Sequence, residues 1–264
     1  MFKHTVDFQC KGCSKEAYDV IPIQRIMDKL DSHFERNDLK SAGELLMYWE
    51  REARNLHDER GLLEILNEEI GYFRRTGEAD KALASVSEAF SLIVALEIEN
   101  EESSATVYLN GATTMKAFGK AAEAMQYYAR AKEIYDSRLS PDDYRLAAYY
   151  NNVSSAYKEL GDAESAEKAC YAAISVLDGN PEYNGEIAVT HVNLAHIYYD
   201  ADNFDDRVYE HMEKAWELLS SKDNRHDGAF AFLCSKCYPS FAYFGYFDYE
   251  KRLKELCKRI YEGN

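Results

Sequence analysis

Residues 149–177 read YYNNVSSAYKELGDAESAEKACYAAISVL and decide the fold. Apolar and small residues recur three and four positions apart on both sides of Gly161, which is the period of an amphipathic helix and not of a strand. Glycine commonly ends a helix where the backbone must turn left-handed. The stretch therefore predicts a helical hairpin with its turn at Gly161.

The same hairpin pattern recurs along the chain. Residues 107–135 read VYLNGATTMKAFGKAAEAMQYYARAKEIY, and residues 61–93 read GLLEILNEEIGYFRRTGEADKALASVSEAFSLI. Asparagine is the best substitute for glycine in a left-handed turn, so Asn203 is taken as a turn residue together with the glycines. A fixed period of roughly 20–50 residues indicates a repeat protein. The turns lie 42 residues apart, at Gly77, Gly119, Gly161, Asn203 and Gly245.

The fifth unit departs from this register. Asp202 fits its turn better than Asn203, and Arg207 or Val208 stands where the other units place alanine. In those units two alanines lie seven positions apart in the second helix, which lets a neighbouring helix approach closely. These pairs are Ala82 and Ala89, Ala124 and Ala131, and Ala166 and Ala173.

The repeat pattern resembles the tetratricopeptide repeat family. An aromatic residue lies four positions before the turn at Phe73 and Tyr157, with Met115 as a departure, and the alanine pair follows the turn. The 42-residue period resembles the longer repeats of kinesin light chains and related adaptors. The resemblance implies an all-α fold, a right-handed superhelical solenoid of about six antiparallel helix pairs.

The resemblance covers residues 22–264, which we expect to form one elongated domain, with residues 1–21 outside the repeats. The first pair has Asn37 and Asp38 at its turn. The last pair contains Pro239, which is expected to bend or break its helix. Because each repeat of a solenoid touches only its neighbours, the two ends are expected to lie apart.

Charge and composition limit the classes of partner. The net charge is −16 and no basic run appears, which argues against nucleic-acid binding through phosphate contacts. A basic or neutral partner is compatible with this charge, although an acidic surface also simply favours solubility. No stretch has the length and apolarity of a signal peptide or a membrane span. The sequence thus predicts a cytoplasmic protein without membrane contact.

Six cysteines pose the question of a metal site. Cys10-x-x-Cys13 and Cys234-x-x-Cys237 together hold four thiols, the number that a structural zinc needs. Since more than two hundred residues of stacked helices separate the pairs, we predict no metal. Cys234 and Cys237 are interpreted as small core residues, as are Cys170 and Cys257.

Signatures of catalysis are absent from the sequence. It has no G-x-x-x-x-G-K-[ST], G-x-S-x-G, H-E-x-x-H or G-x-G-x-x-G motif. His191 and His196 are five apart, a poor fit to one helix face, and the Glu68–Glu69 pair is interpreted as solvated charge. The sequence predicts neither an enzyme nor a cofactor.

The most informative polar pattern is a column of asparagines. Asn110, Asn152 and Asn193 each lie five residues before the aromatic position in three successive units. The family resemblance implies that this position looks onto a concave groove, where carboxamides bind the backbone of an extended peptide. The alternative is that each asparagine bridges two helices of the stack.

Polar positions flank this column. Thr113, Ser155 and His196 lie one turn further along the helix, and Lys116 and Lys158 three residues beyond the first two. We predict that these side chains complete the wall of a peptide-binding groove. Lysines near the column are too few for a strong resemblance to the subfamily that clamps a C-terminal carboxylate.

Tyrosine is in surplus, with 21 residues, and aromatic side chains are densest between Tyr238 and Tyr249. Some must close the last hydrophobic face, while Tyr243, Tyr246 and Tyr249 are candidates for a homodimer contact because exposed aromatic clusters mark interfaces.

Two classes of function fit these features. The first is a non-catalytic scaffold or adaptor that binds a protein or an extended peptide. The second is a regulator similar to the peptide-sensing tetratricopeptide receptors of Gram-positive bacteria, in which the bound peptide changes the superhelix. Residues 1–21 are too short for the N-terminal module that those regulators usually carry, which favours the scaffold.

Overall fold

The computed structural model describes residues 20–202 and 205–262, and over these residues the chain forms twelve α-helices and no strand. They are α1 (Ile23–Glu35), α2 (Leu39–Leu56), α3 (Glu59–Thr76), α4 (Ala79–Ala95), α5 (Glu102–Ala117), α6 (Ala121–Arg138), α7 (Tyr144–Glu159), α8 (Ala163–Leu177), α9 (Asn184–Ala201), α10 (Arg207–Leu219), α11 (Gly228–Tyr243) and α12 (Phe247–Glu262). Consecutive helices pack as six hairpins, which confirms the predicted fold class.

The glycine turns have the predicted backbone. Gly77, Gly119, Gly161 and Gly245 adopt φ between 77° and 87°, the left-handed region that glycine reaches without a steric penalty. Asn37 does the same at the first turn, with φ 55°. At the fifth turn Asn203 lies outside the described residues. Asp202, the alternative turn residue, has φ −153°, which is an extended and not a left-handed backbone.

Small residues bring the helices of each hairpin together. All six alanines of the predicted pairs have no solvent exposure. In the fifth hairpin Val208 is buried where the other units have alanine, so the helices still meet there with a larger side chain between them.

Pro239 does not break its helix. α11 runs from Gly228 to Tyr243 with Pro239 inside it, and the proline is exposed. Proline removes one backbone hydrogen bond, and an exposed face of a helix can leave the freed carbonyl to water. The predicted break is therefore wrong.

The twelve helices form two layers. Successive odd-numbered helices from α3 to α11 contact one another. The even-numbered helices pack mainly on their hairpin partners, and α2, α4, α6 and α8 also pack on the odd-numbered helix that follows. The odd-numbered helices thus make the inner, more tightly curved layer. We call the side of this layer that faces away from the even-numbered helices the inner face.

The two ends of the solenoid meet. α11 contacts α1, and Gly228 packs so tightly against Glu35 that a Cβ atom there would lie 2.3 Å from the Glu35 carbonyl oxygen. The Arg75 guanidinium lies 5.7 Å from the ring centre of Phe34 and 4.7 Å from that of Phe232. We call this contact, made by Phe34, Glu35, Arg75, Gly228 and Phe232, the seam.

The seam corrects the expectation that the ends lie apart. Neighbour contacts do dominate the stack, but a small rotation between repeats accumulates over six hairpins and bends the inner layer back onto itself. The inner layer consequently closes on itself where α1 meets α11.

Candidate binding surface

The eight polar residues predicted to form a groove share one environment. Each lies on α5, α7 or α9 of the inner layer and is half-buried: Asn110, Thr113, Lys116, Asn152, Ser155, Lys158, Asn193 and His196. A half-buried polar side chain retains a solvent-facing part that a ligand can contact.

Besides Asn110, which is described below, four of these side chains take part in links between successive inner helices. Lys116 Nζ on α5 donates to Ser155 Oγ on α7 at 2.9 Å. Lys158 on α7 forms a 2.7 Å ion pair with Asp200 on α9. His196 Nε2 on α9 lies 2.8 Å from Ser240 Oγ on α11. Polar side chains thus tie together the same helices that line the inner face.

The three predicted asparagines have different partners. Asn110 Nδ2 donates to Asn67 Oδ1 on α3 at 2.9 Å, which is the helix bridge of the alternative interpretation. Asn152 Nδ2 donates to the Ala148 carbonyl oxygen of its own helix at 2.9 Å. Asn193 has no hydrogen-bond partner among residues 20–202 and 205–262. Bridging therefore accounts for Asn110 but not for the other two.

Two asparagines that the sequence analysis missed make structural bridges. Asn67 accepts the bond from Asn110, and Asn151 Oδ1 accepts a 2.8 Å bond from Thr190 Oγ1 on α9. Asn67 and Asn151 occupy equivalent positions, two repeat periods apart, one residue before the predicted column. That spacing was a readable signal for a second polar column devoted to packing.

Thr113 is turned toward its own hairpin. Its Oγ1 donates to the Leu109 carbonyl at 2.8 Å and accepts from the Tyr128 hydroxyl on α6 at 3.2 Å. Both capacities of the hydroxyl are used within the protein, so Thr113 has less to offer a ligand than Asn152 or Asn193.

Cations gather toward the C-terminal ends of the inner helices. Arg74 Nη1 donates to the Asn110 carbonyl at 3.2 Å and to Thr114 Oγ1 at 2.8 Å, both neutral acceptors. Burial lowers the pKa of Arg74, and burial together with nearby Arg74 and Lys158 lowers the pKa of Lys116 against the opposing influence of Glu159.

Two glutamates predicted to be solvated are not. Burial, with Asp31 and Glu64 nearby, raises the pKa of the half-buried Glu68 to about 7. Glu69 is only 3% exposed, and burial raises its pKa to about 8, with Glu50 adding to the effect. The solvated interpretation of the pair is wrong because α3 is covered by neighbours on both sides.

The cysteines in the described part of the chain are core residues, as predicted. Cys170, Cys234, Cys237 and Cys257 are all free and buried, and burial raises the pKa of Cys237 to about 12. Cys10 and Cys13 lie outside the described residues. Residues 20–202 and 205–262 contain no group of three or more His, Cys, Asp or Glu placed to hold a metal ion.

His191 and His196 have separate partners, in keeping with their spacing. His191 Nδ1 lies 2.9 Å from His211 Nδ1, and burial lowers the pKa of His191 to about 4. This pair links α9 to α10, away from the His196 link to α11.

The C-terminal aromatic residues are divided between packing and exposure. Tyr249 stacks on Trp216 with ring centres 4.0 Å apart and on Tyr246 at 5.4 Å, which closes the last hairpin. Tyr243 is 62% exposed and is the one of the three interface candidates that presents most of its ring to solvent.

None of the helices in the described ranges has both the length and the apolar character needed to cross a bilayer. Among protein-family models none matches the chain, and no curated protein sequence matches it significantly.

Solved structures do match. BtubC (BKLC) from P. vanneervenii is 21% identical, with 74% of this chain and 79% of that chain covered and a TM-score of 0.61. A protein of Podosopora anserina, assigned as a kinesin light chain with nearly identical TPR-like repeats, is 15% identical. That match covers 76% of this chain and 96% of the other, with a TM-score of 0.58. Identities this low establish fold alone. The chain therefore has the fold of a tetratricopeptide-like repeat solenoid, similar to the repeats of kinesin light chains.

Proposed function

We propose that this protein is a non-catalytic scaffold that binds an extended peptide segment of a partner protein along its inner face. The carrying observation is that the carboxamides of Asn152 and Asn193 lie half-buried on the inner layer and, within the described part of the chain, form no bond to a neighbouring helix. A carboxamide can donate a hydrogen bond to a peptide unit and accept one from it, whichever side chain the bound residue carries. A column of asparagines is therefore suited to recognition of a peptide backbone.

The proposal assigns the remaining inner-face residues a supporting role. Lys116, Ser155, Lys158 and His196 fix the spacing of the inner helices through their mutual links. Fixed spacing places successive asparagines at a constant separation, which lowers the ordering cost of binding a long ligand. The reduced, buried thiols and the acidic surface are consistent with action in the cytoplasm, without cofactor or chemistry.

The test compares affinities for peptides selected from a displayed random library. The double variant Asn152→Ala and Asn193→Ala removes the two carboxamides without touching an inter-helix bond. Each net hydrogen bond is worth about 0.5–1.5 kcal/mol, so binding should weaken roughly fivefold to 150-fold. Asn55→Ala, at an exposed asparagine of α2, is the matched control, and this variant should bind the peptides as the wild type does.

Stability must be measured beside affinity. Alanine is the better helix former, so the double variant should unfold at or above the wild-type temperature. Asn110→Ala, in contrast, leaves the buried Asn67 without its donor and should cost about 1 kcal/mol or more of stability. Peptides that bind the double variant with undiminished affinity would refute the proposed function.

The seam keeps the regulatory alternative open. Because α1 and α11 meet at the seam, a ligand on the inner face can alter their contact and with it the shape of the solenoid. Small-angle scattering with and without a selected peptide distinguishes the regulator from the scaffold. A changed radius of gyration favours the peptide-sensing regulator, and an unchanged radius favours the scaffold.

A further inference from the structure

Cations from opposite ends of the chain meet at the seam. Arg75 of α3 and Lys236 of α11 both lie against the Phe232 ring, with the Arg75 Cζ atom 4.7 Å and the Lys236 Nζ atom 4.5 Å from its centre. Arg75 also donates to the neutral Asn37 Oδ1 at 2.7 Å. One aromatic ring thus has two positive charges beside it.

A third cation lies next to this pair. Arg74 precedes Arg75 on α3, and its two hydrogen bonds go to the neutral oxygens of Asn110 and Thr114. Burial and the charges of Arg74 and Arg75 lower the pKa of Lys236, while Glu186 and Cys237 oppose this. The three cations are close enough to repel one another.

This arrangement is unusual in a chain with a net charge of −16. Like charges in a partly desolvated space destabilise one another unless an opposite charge is near. Glu186 opposes the lowering of the Lys236 pKa, but its single negative charge is smaller than the three positive charges of the cluster. A multiply charged anion would offset that excess.

Phosphate suits these side chains better than a single carboxylate. A guanidinium binds two phosphate oxygens at once, and a lysine ammonium acts as a compact point charge for the same group. A carboxylate supplies one charge and can satisfy one guanidinium, whereas a chain of phosphates can reach donors on two helices.

We propose that the inner side of the seam binds an oligophosphate group through Arg74, Arg75 and Lys236. The bound anion contacts α3 of the second hairpin and α11 of the last. Because Arg75 also lies beside Phe34 of α1, the anion stabilises the contact among α1, α3 and α11 at the seam. The group is either a free inorganic oligophosphate or the phosphate chain of a nucleotide, and both present the same charged oxygens.

The experiment measures binding of inorganic tripolyphosphate by calorimetry at an ionic strength of about 0.15 M, where weak surface attraction is screened. Lys236→Gln keeps the aliphatic stem over Phe232 and removes the charge. It should weaken binding at least roughly tenfold, the loss expected for one charge-assisted bond. Lys251→Gln, an exposed lysine of the same hairpin, is the matched control and should leave affinity unchanged.

Two further arms locate the ligand and identify its source. Bound tripolyphosphate should slow amide hydrogen exchange in α1 and α11. ATP without divalent cation should bind with similar affinity if the phosphate chain is the recognised part.

The proposal is overturned if tripolyphosphate does not bind, if both lysine variants bind it alike, or if exchange in α1 and α11 stays unchanged. Binding of ATP without binding of tripolyphosphate would equally exclude an oligophosphate site.

Discussion

Replacing Gly228 with alanine should loosen the first hairpin from the last. The added Cβ would lie 2.3 Å from the carbonyl oxygen of Glu35, 2.6 Å from its Cα and 2.8 Å from its carbonyl carbon. These are backbone atoms, which cannot rotate away as a flexible side chain can. Since unstrained carbon contacts lie at about 3.5–4.0 Å, α1 and α11 must separate by roughly 1 Å or more.

The cost follows from that displacement. Overpacking of this kind typically destabilises by about 1–3 kcal/mol, and separation also weakens the contact of Arg75 with Phe232. Because each hairpin apart from the seam contacts mainly its neighbours in sequence, the loss should appear at the ends of the chain before it appears in the middle. Amide hydrogen exchange in α1 and α11 should therefore accelerate roughly 5- to 150-fold, with little change in α5 to α8.

Gly71→Ala supplies the matched control. Gly71 lies inside α3 and no atom lies within 4 Å of the position of its missing Cβ. Alanine there should leave exchange at the seam unchanged and stabilise α3 by about 0.5–1 kcal/mol. Equal protection of α1 and α11 in the wild type and in Gly228→Ala would refute the view that the ends are held by direct contact.

Three other changes test separate parts of the molecule. Gly161→Val should lower the thermal midpoint, because a β-branched residue at φ 80° costs roughly 1–2 kcal/mol, although open space surrounds the site. The pKa of Glu69 is about 8 in the folded protein, against an ordinary 4.5. Between pH 4.5 and pH 8 the native state therefore holds a proton that the unfolded state has lost, so the free energy of unfolding should fall as pH rises through this range. Urea midpoints at about pH 5 and pH 8 should show this fall, and Glu69→Gln should reduce it, with the remaining fall due to Glu68. A strong chelator should leave the circular dichroism spectrum unchanged, since a structural zinc would contribute about 10 kcal/mol and its removal would unfold what it holds.

The repeat period predicts most of the fold because its determinants are local. A left-handed turn needs glycine or asparagine wherever it occurs, and two alanines seven residues apart mark a close helix contact without knowledge of the partner. Glu69 shows a limit of this reasoning. It lies in line with Leu62, Leu66 and Phe73 on the covered side of α3, a spacing that could have identified it as buried.

The seam could not be predicted in the same way. Its residues are set opposite each other by the summed rotation of all the hairpins, and no local pattern in Phe34 or Phe232 specifies that sum. The links between inner helices could be predicted in part from the sequence. Lys116 and Ser155 are complementary side chains 39 residues apart, close to one repeat period, but their pairing depends on side-chain direction as well as on spacing.

The pairing of Glu35 with Gly228 has a consequence for synthesis on the ribosome. These residues are 193 positions apart. At translation rates of roughly 5–20 residues per second, the first hairpin waits about 10–40 s for the segment that covers it. During that interval the end of α1 lacks its contact with Gly228 of α11, so the nascent chain presents a surface that a chaperone can bind. A circular permutant that moves the last hairpin to the front of the chain shortens this delay. It should reduce aggregation during expression without changing the folded structure.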